Sequence, residues 1–444
     1  MSKKRLQIQT LGCSKNTVDS EHILYKLRDL YDIVTSEDES EYVDCMLLNT
    51  CGFIGDAKEE SVNAVLQAVE RKRQGLVGRV IVFGCLSQRY AAEMPELIPE
   101  VDEWYGARDF APVIKALGGN PEGESGRFRT EAGHGKAHGP ATEYLKISEG
   151  CDRRCSYCAI PHIRGGHHSV PIEDLVAEAR VLAADGVKEL VLIAQDTTYY
   201  GLDLYHRRAL ADLLDALSAI DGIEWIRIHY SYPADFPEDV LDRMASNPKV
   251  CPYIDIPLQH ISDKLLDMMR RHVSKEWTVN LLRRIRERVP GVAVRTTMIV
   301  GHPGEGEEEF EELLDFVREA RIERLGAFAY SEEEGTYGAE HFEDDIPEEV
   351  KHERLGILMD VQREISLGFN RSRIGTSERV LVDDWSDGVF VCRSRYESPE
   401  VDGEILVKPT EEWLAGRAPE SLIGTFIAVT ITGADEYDLI AQTE

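Results

Sequence analysis

Two hydrophobic periods alternate along residues 1–118. Leu6–Leu11, Asp44–Asn49 and Arg79–Phe83 are short apolar runs of strand character. Thr17–Leu30, Ala57–Arg73 and Tyr90–Leu97 repeat apolar residues at helical spacing, and Val113–Leu117 closes the segment with a further helical stretch. Alternation of this kind predicts parallel βαβ units, hence an N-terminal open parallel α/β sheet. The pattern fails between residues 119 and 140, where glycines crowd among polar residues, and this stretch reads as a linker or a long exposed loop.

Over residues 141–373 the alternation resumes on a larger scale. Strands are expected at Tyr144–Ile147, Glu189–Ala194, Trp225–His229, Tyr253–Pro257, Ala293–Val300 and Leu325–Tyr330. Helices fall between them, at Asp174–Ala184, Leu210–Ile220, Val279–Arg288 and Glu308–Ala320, with Glu348–Ser366 beyond the last strand. Six parallel strand–helix units in ~230 residues predict an open or partial (β/α)6 barrel. Residues 374–444 change character again. Arg379–Asp384, Val389–Ser394, Gly403–Val407, Thr425–Thr432 and Asp438–Ala441 are short strands with Gly and Asp between them, which predicts a small antiparallel β-barrel. The expected class is α/β with this all-β domain at the C-terminal end.

A chain of 444 residues with 43% hydrophobic and 30% charged content has the material for two to four globular domains. No run of about 18 apolar residues is present, so no membrane span is expected. Met1-Ser2-Lys3-Lys4-Arg5 leads directly into a strand pattern and not into an apolar signal core, so a cytoplasmic protein is expected. The net charge of −31 disfavours general nucleic-acid binding, which depends on Lys and Arg meeting phosphates. It either draws the protein to a basic partner or only keeps it soluble. From Thr376 onward 15 acids face 5 bases.

The nine cysteines change the picture most. An odd count in a large chain without a secretory segment argues against a disulfide framework and for metal or redox use. Cys151, Cys155 and Cys158 fall in the loop after the first barrel strand. Three local thiolates suit an iron–sulfur cluster with one iron left open, where a small molecule can bind. The rival is structural zinc, completed by His162 as a Cys3His set. Spacing alone does not separate the two. Position favours the cluster, because the carboxyl ends of barrel strands form the face where such barrels keep their active sites.

A second set lies in the first domain. Cys13, Cys51 and Cys85 each follow a predicted parallel strand, at the sheet edge that forms the ligand crevice in open α/β folds. Gly12, Gly52 and Gly84 stand beside them and would permit close approach. A second three-cysteine cluster is the economical reading, against three independent buried thiols. Cys45, Cys251 and Cys392 lie in or beside strand patterns and read as core.

The run Ile147-Ser148-Glu149-Gly150-Cys151-Asp152-Arg153-Arg154-Cys155-Ser156-Tyr157-Cys158-Ala159-Ile160-Pro161 resembles the signature of radical S-adenosylmethionine enzymes. The resemblance implies that the open iron holds S-adenosylmethionine and that an electron from the cluster cleaves it to a 5′-deoxyadenosyl radical and methionine. Tyr157 would then pack near the adenine. Thr10-Leu11-Gly12-Cys13-Ser14-Lys15-Asn16, Asn49-Thr50-Cys51-Gly52-Phe53-Ile54 and Gly84-Cys85-Leu86-Ser87-Gln88-Arg89-Tyr90 look like the amino-terminal domain of methylthiotransferases. The last domain is similar to that family's TRAM domain. The family resemblance implies two 4Fe-4S clusters, the second supplying or carrying the inserted sulfur. S-adenosylmethionine would serve both as methyl donor and as radical source.

One branch of that family modifies an adenosine of transfer RNA. The other modifies the β-carbon of an aspartate in small-subunit ribosomal protein S-twelve. The stretch from Lys146 to Gly165 looks closest to the second, and an acidic TRAM-like domain suits a basic ribosomal protein, met free or in the small subunit. Direct transfer-RNA binding is disfavoured on the same ground. A flavodoxin or ferredoxin is the expected electron donor. Asp196, Gln259 and Arg295 are the preferred contacts to S-adenosylmethionine or substrate, each taken to lie at the barrel mouth, against the alternative that they only shape loops. His302 departs from a Phe common in the family, and His167 and His168 stand in a stretch usually richer in arginine. Both of the latter are expected to be exposed loop residues. The transfer-RNA enzyme and a zinc-stabilised scaffold protein remain the alternatives.

Overall fold

The computed structural model describes residues 3–34, 40–123, 125–129 and 139–444. The first domain is a parallel sheet of β1 (Lys4–Thr10), β2 (Tyr31–Val34), β3 (Cys45–Thr50), β4 (Val80–Gly84) and β5 (Glu103–Trp104), in the order β2-β1-β3-β4-β5. β3 and β4 are buried along their whole length, as continuous apolar runs between two helical layers should be. The alternation reveals β1, β3 and β4 but not the edge strands β2 and β5, which have four and two residues. Edge strands this short carry too few alternations to stand out.

The central domain places β6 (Thr142–Lys146) at one edge, followed by a small hairpin-like pair, β7 (Ser148–Glu149) and β8 (His168–Ser169). β9 (Glu189–Ile193), β10 (Trp225–Ile228), β11 (Val250–Asp255), β12 (Ala293–Val300) and β13 (Arg324–Ala329) complete a six-stranded sheet in the order β13-β12-β11-β10-β9-β6. Sequential parallel neighbours with open ends make it the expected partial barrel. Its outer face is covered by helices that bury the largest apolar cluster of the chain, including Leu190, Leu192, Ile226, Ile254, Val294 and Met298. Several helices lie outside the four read from the sequence between the strands, Glu238–Ser246 being the longest of them.

The last domain is a closed barrel of β14 (Ser377–Ser386), β15 (Val389–Arg393), β16 (Ile405–Lys408), β17 (Phe426–Ala434) and β18 (Leu439–Thr443). Its pairings are antiparallel except β16 with β18, which run parallel. The long connection from β15 to β16 does not go to solvent. It enters the inner face of the partial barrel, where Arg227 donates to the carbonyls of Arg395 (3.0 Å) and Ser394 (3.2 Å). In the same loop His229 meets Ser398 at 2.6 Å, and Tyr253 donates to Asp402 at 2.7 Å. Arg393 of β15 reaches Glu189 at 2.8 Å. This plug loop packs into the amino-terminal half of the barrel, and the larger cavity lies toward the carboxyl ends of the strands.

The stretch 119–140 is not wholly an exposed loop. Residues 124 and 130–138 lie outside the described residues, but Arg127 is a buried staple with a side chain 1% exposed. Its guanidinium pairs with Glu21 of the first domain, with Glu178 (3.0 Å) and Glu143 (3.3 Å) of the second, and with the carbonyl of Tyr144 (2.7 Å). A lone Arg among glycines gives no sequence signal for this.

Burial raises the Glu189 carboxyl, but the Arg393 and Arg227 guanidiniums outweigh it and hold it at about 2. A carboxyl held below its unfolded value of about 4.3 stabilises the fold above that pH and loses the contribution as the pH falls toward 2. Glu189→Gln is therefore expected to destabilise the chain at pH 7 by about 3–5 kcal/mol, because buried Arg227 loses its charge partner and Arg393 is left with Asp383 alone. Urea unfolding at pH 7 and pH 3 checks this: the difference between wild type and variant should shrink at the lower pH.

Candidate functional site

The loops that carry the six cysteines of interest follow strand ends, as the sequence puts them, and all six line one cavity of about 450 Å³ between the first domain and the barrel mouth. Cys13 follows the β1 end after Leu11 and Gly12 and precedes the helix Ser14–Leu27, Cys51 directly follows β3, and Cys85 follows β4 and opens the short helix Cys85–Arg89. The three loops are packed against each other. A Cβ on Gly12 (φ +93°) would lie 2.7 Å from the Cβ of Cys51, and one on Gly84 (φ +105°) would lie 2.7 Å from the Thr50 carbonyl oxygen. One on Gly52 would lie 2.7 Å from the Leu86 Cα. The glycines thus allow three cysteine-bearing turns to converge, which is a more specific reason than approach to a ligand.

Cys151, Cys155 and Cys158 come from the loop between β7 and the short helix Ile160–Arg164. Each is partly exposed. Burial pushes the Cys151 thiol up to about 12, and that of Cys85 likewise. Deprotonation in such a place needs a cation or a metal. Each triad has one arginine that supplies part of it. Arg271 places Nη1 3.3 Å from the Cys155 sulfur and 3.3 Å from the Tyr157 hydroxyl. Arg164 places Nε 3.2 Å from the Cys85 sulfur. Arg164 belongs to the barrel domain but reaches into the first, where Nη1 lies 2.8 Å from Asp19 and Nη2 2.5 Å from Asn16. Its neighbour Gly165 accepts the Cys151 amide at 3.1 Å. One short segment therefore holds a member of both triads.

Among the described residues no three His, Cys, Asp or Glu side chains are placed to hold a single metal ion. A zinc ion needs four ligands at close range, and His162 lies exposed. A cubane is larger than an ion and takes thiolates that are further apart, so the donor set and its spread fit iron–sulfur clusters better than zinc. The cavity walls also fit a polar ligand. Gln195 Oε1, Gln259 Oε1, Arg153 Nη2 and Arg271 Nε are buried without a hydrogen-bond partner, and all four residues line the cavity.

The softer sequence assignments divide. Tyr157 and Gln259 line the cavity, and Gln259 is held in a positive-φ conformation by a bridge to Met298. Asp196 does not line it. It pairs with Arg153 at 2.9 Å and accepts from Thr198, so it acts through Arg153. Arg295 is a correction. It is the third residue of β12 and not at its carboxyl end, it pairs with Asp255 at 3.0 Å, and it faces the plug loop outside the chamber. The error is one of register along an eight-residue strand. His167 is a second correction, being buried at 4% exposure between Ser169 and the ring of Tyr199, while His168 is exposed. His302 is buried in an aromatic setting, with ring centroids 4.9 Å from Tyr330 and 5.9 Å from Phe342. That setting explains a His where a Phe would also fit. Arg164, Arg271 and Lys15 were missed, because single basic residues give no sequence signal until the fold brings them to the thiols.

The first domain is clamped over the mouth on two sides. Lys58 and Arg89 meet Glu333 beyond β13 at 2.8 and 2.7 Å. On the opposite side Lys146 joins Asp19 and Glu149.

Comparison with known proteins agrees with this arrangement. Residues 145–317 match the Radical SAM superfamily, 374–443 the TRAM domain, and 5–106 a family described as uncharacterized protein family UPF0004. The chain is 48% identical over 444 residues to the ribosomal protein uS12 methylthiotransferase RimO of Bacteroides thetaiotaomicron, covering 100% of this chain and 99% of that one. It is 49% identical to the protein of the same name from Porphyromonas gingivalis, with the same coverage. Among solved structures it is similar to the radical S-adenosylmethionine methyltransferase TsrM of Kitasatospora setae, with TM-score 0.56 and 14% identity over 73% of each chain. At that identity the likeness concerns the fold alone.

Gly84→Ala is expected to displace the turn that carries Cys85. After anaerobic reconstitution, this variant should hold less iron per chain than the wild type. Gly55→Ala, with open space around its added Cβ, should retain the full content. Iron assay of both variants checks this.

Proposed function

The chain belongs to the RimO family of radical S-adenosylmethionine methylthiotransferases, and from that membership we propose that it adds a methylthio group to the β-carbon of an aspartate in ribosomal protein uS12. It is an enzyme that transfers a sulfur-containing group, and the family uses S-adenosylmethionine and 4Fe-4S clusters. The finer reading is two clusters, one on Cys151, Cys155 and Cys158 and one on Cys13, Cys51 and Cys85. When bound, the first supplies the electron that cleaves S-adenosylmethionine, and the second supplies or carries the sulfur. The observation that carries this reading is that all six thiols line one chamber. A carbon in that chamber is within reach of hydrogen abstraction from one side and sulfur delivery from the other, without a domain movement.

The protein's own groups prepare the chamber. Arg271 and Arg164 each aim an N–H at a cysteine sulfur, which favours the thiolate over the thiol and raises the potential of whatever cluster the thiolate holds. Gln195 and Gln259 present unpaired carbonyl oxygens to the cavity, suited to the ammonium or ribose hydroxyls of S-adenosylmethionine. Tyr157 and Tyr232 flank Arg271, whose guanidinium lies 4.2 Å from the Tyr232 ring centroid, so this wall offers aromatic rings suited to an adenine beside a cation.

The acidic surface supports a protein substrate over transfer RNA, since a chain of net charge −31 repels phosphate and attracts a basic ribosomal protein. A substrate of that kind supports a cytoplasmic site of action; no described helix is long and apolar enough to cross a membrane. A flavodoxin or ferredoxin would supply the electrons.

Incubating the reconstituted enzyme, reductant and S-adenosylmethionine with uS12 or with transfer RNA tests the reading by mass spectrometry. A methylthio mass gain is expected on uS12. A gain on transfer RNA alone would overturn the substrate assignment. Cys51→Ala should still form 5′-deoxyadenosine but no methylthio product, whereas Cys155→Ala should form neither.

A further inference from the structure

Lys15 is a charged side chain that the fold has no structural use for. It stands in the first turn of the helix Ser14–Leu27, two residues after Cys13. The positive end of the helix dipole disfavours a cation there, and no acid in that turn offsets it. The residue is 8% exposed. Among the described residues its ammonium has neither a carboxylate nor a hydrogen-bond acceptor, and it sits 3.4 Å above the ring centroid of Tyr230. The ammonium is thus a cation presented to the chamber, with an aromatic face as its one partner among the described residues.

The other chamber cations differ. Arg153 has Asp196, Arg164 has Asp19 and Glu149, and Arg271 has the Cys155 sulfur and the Pro257 carbonyl. The ring beneath Lys15 is itself fixed. Tyr230 follows β10 in a left-handed conformation (φ 58°) that a bulky residue adopts only under constraint. Its amide donates to Asp255 at 2.9 Å and its carbonyl accepts from Thr197 at 3.1 Å, so both sides of the strained residue are fixed. Lys15 comes from the domain of one thiol triad, and Tyr230 from the barrel that carries the other. Both line the chamber.

Resting on the uS12 reading above, we infer that Lys15 is the anchor for the side-chain carboxylate of the substrate aspartate. The β-carbon is one bond from that carboxylate, so an ammonium fixed between the two triads fixes the carbon that must meet both. An adenine offers no anion at the corresponding place. The lysine thus selects an acidic residue and supplies the orientation that an unactivated carbon cannot provide itself.

The test is a cycle of binding measurements on the full-length reconstituted enzyme. Wild type and Lys15→Met are each titrated with uS12 and with uS12 carrying asparagine in place of the target aspartate. Each single change should weaken binding by about 10-fold, the scale of a hydrogen bond between charged groups. The two together should weaken it no further. Lys15→Arg, which keeps the charge, should recover most of the affinity. Losses that multiply, or a Lys15→Met enzyme that binds uS12 as the wild type does, would overturn the inference. So would a rise in the KM for S-adenosylmethionine in place of the loss of uS12 affinity, or a Lys15→Arg enzyme of full iron content that binds no better than Lys15→Met. If the wild type adds no methylthio group to uS12, the functional reading fails first and this inference falls with it.

Discussion

Buried ion pairs across the domain seams hold the site together. Each domain has its own apolar core, and these cores are separate clusters. Small apolar patches do cross the seams, such as Val18 against Tyr144, Val191 and Ile193, and Trp225 against Phe426 at 4.7 Å. The directional contacts are charged: Arg164 with Asp19, Arg127 with Glu21, Arg89 with Glu333, Arg393 with Glu189 and Arg324 with Glu397. An apolar seam tolerates sliding. A bidentate or forked guanidinium contact does not, because a small shift leaves a desolvated charge without its partner. Such pairs are weak sources of net stability, but they fix geometry, and geometry is what two thiol triads in one chamber require.

The same contacts leave the surface acidic. The chain has 50 basic and 81 acidic side chains. Arg127, Arg164, Arg227, Arg324 and Arg393 are all buried, and so are the acids they meet, Glu21, Asp19, Glu189 and Glu397 among them. Bases and acids are withdrawn into the seams in near-equal number, so the acid excess of the composition is carried almost whole by the surface. The seams are assembled from charge without spending the field that repels phosphate and attracts a basic protein.

The architecture was legible because its signals repeat. Strand and helix periods recur through the first two domains, and both triads follow from cysteines at strand ends, a rule about parallel sheets that needs no three-dimensional information. What stayed hidden consists of single residues whose meaning depends on a distant partner. Arg127 looks like linker, Arg164 like the tail of a motif and Lys15 like a solvated helix start. Arg295 shows the limit differently. It lies on the right strand and the inward face, but position along the strand decides whether it meets the chamber or the plug, and that depends on how deep the loop carrying Glu400 and Asp402 inserts. Periodicity fixes a face, not a depth.

Thiol triads and a polar wall specify the chemistry, but they are indifferent to the substrate: any carbon held in the gap would meet the same neighbours. Discrimination has to come from groups that the chemistry does not use. In a protein with so large an excess of acids, a counterion for a buried lysine is the easiest contact to provide. Arg153, Arg164, Lys146 and Lys351 all have one. Its absence at Lys15, in the wall shared by both triads, is most simply understood if the missing charge arrives with the substrate. The pairing then forms only in the complex, where it can contribute to choosing and orienting the reacting carbon; a resident acid would have cancelled it in the free enzyme.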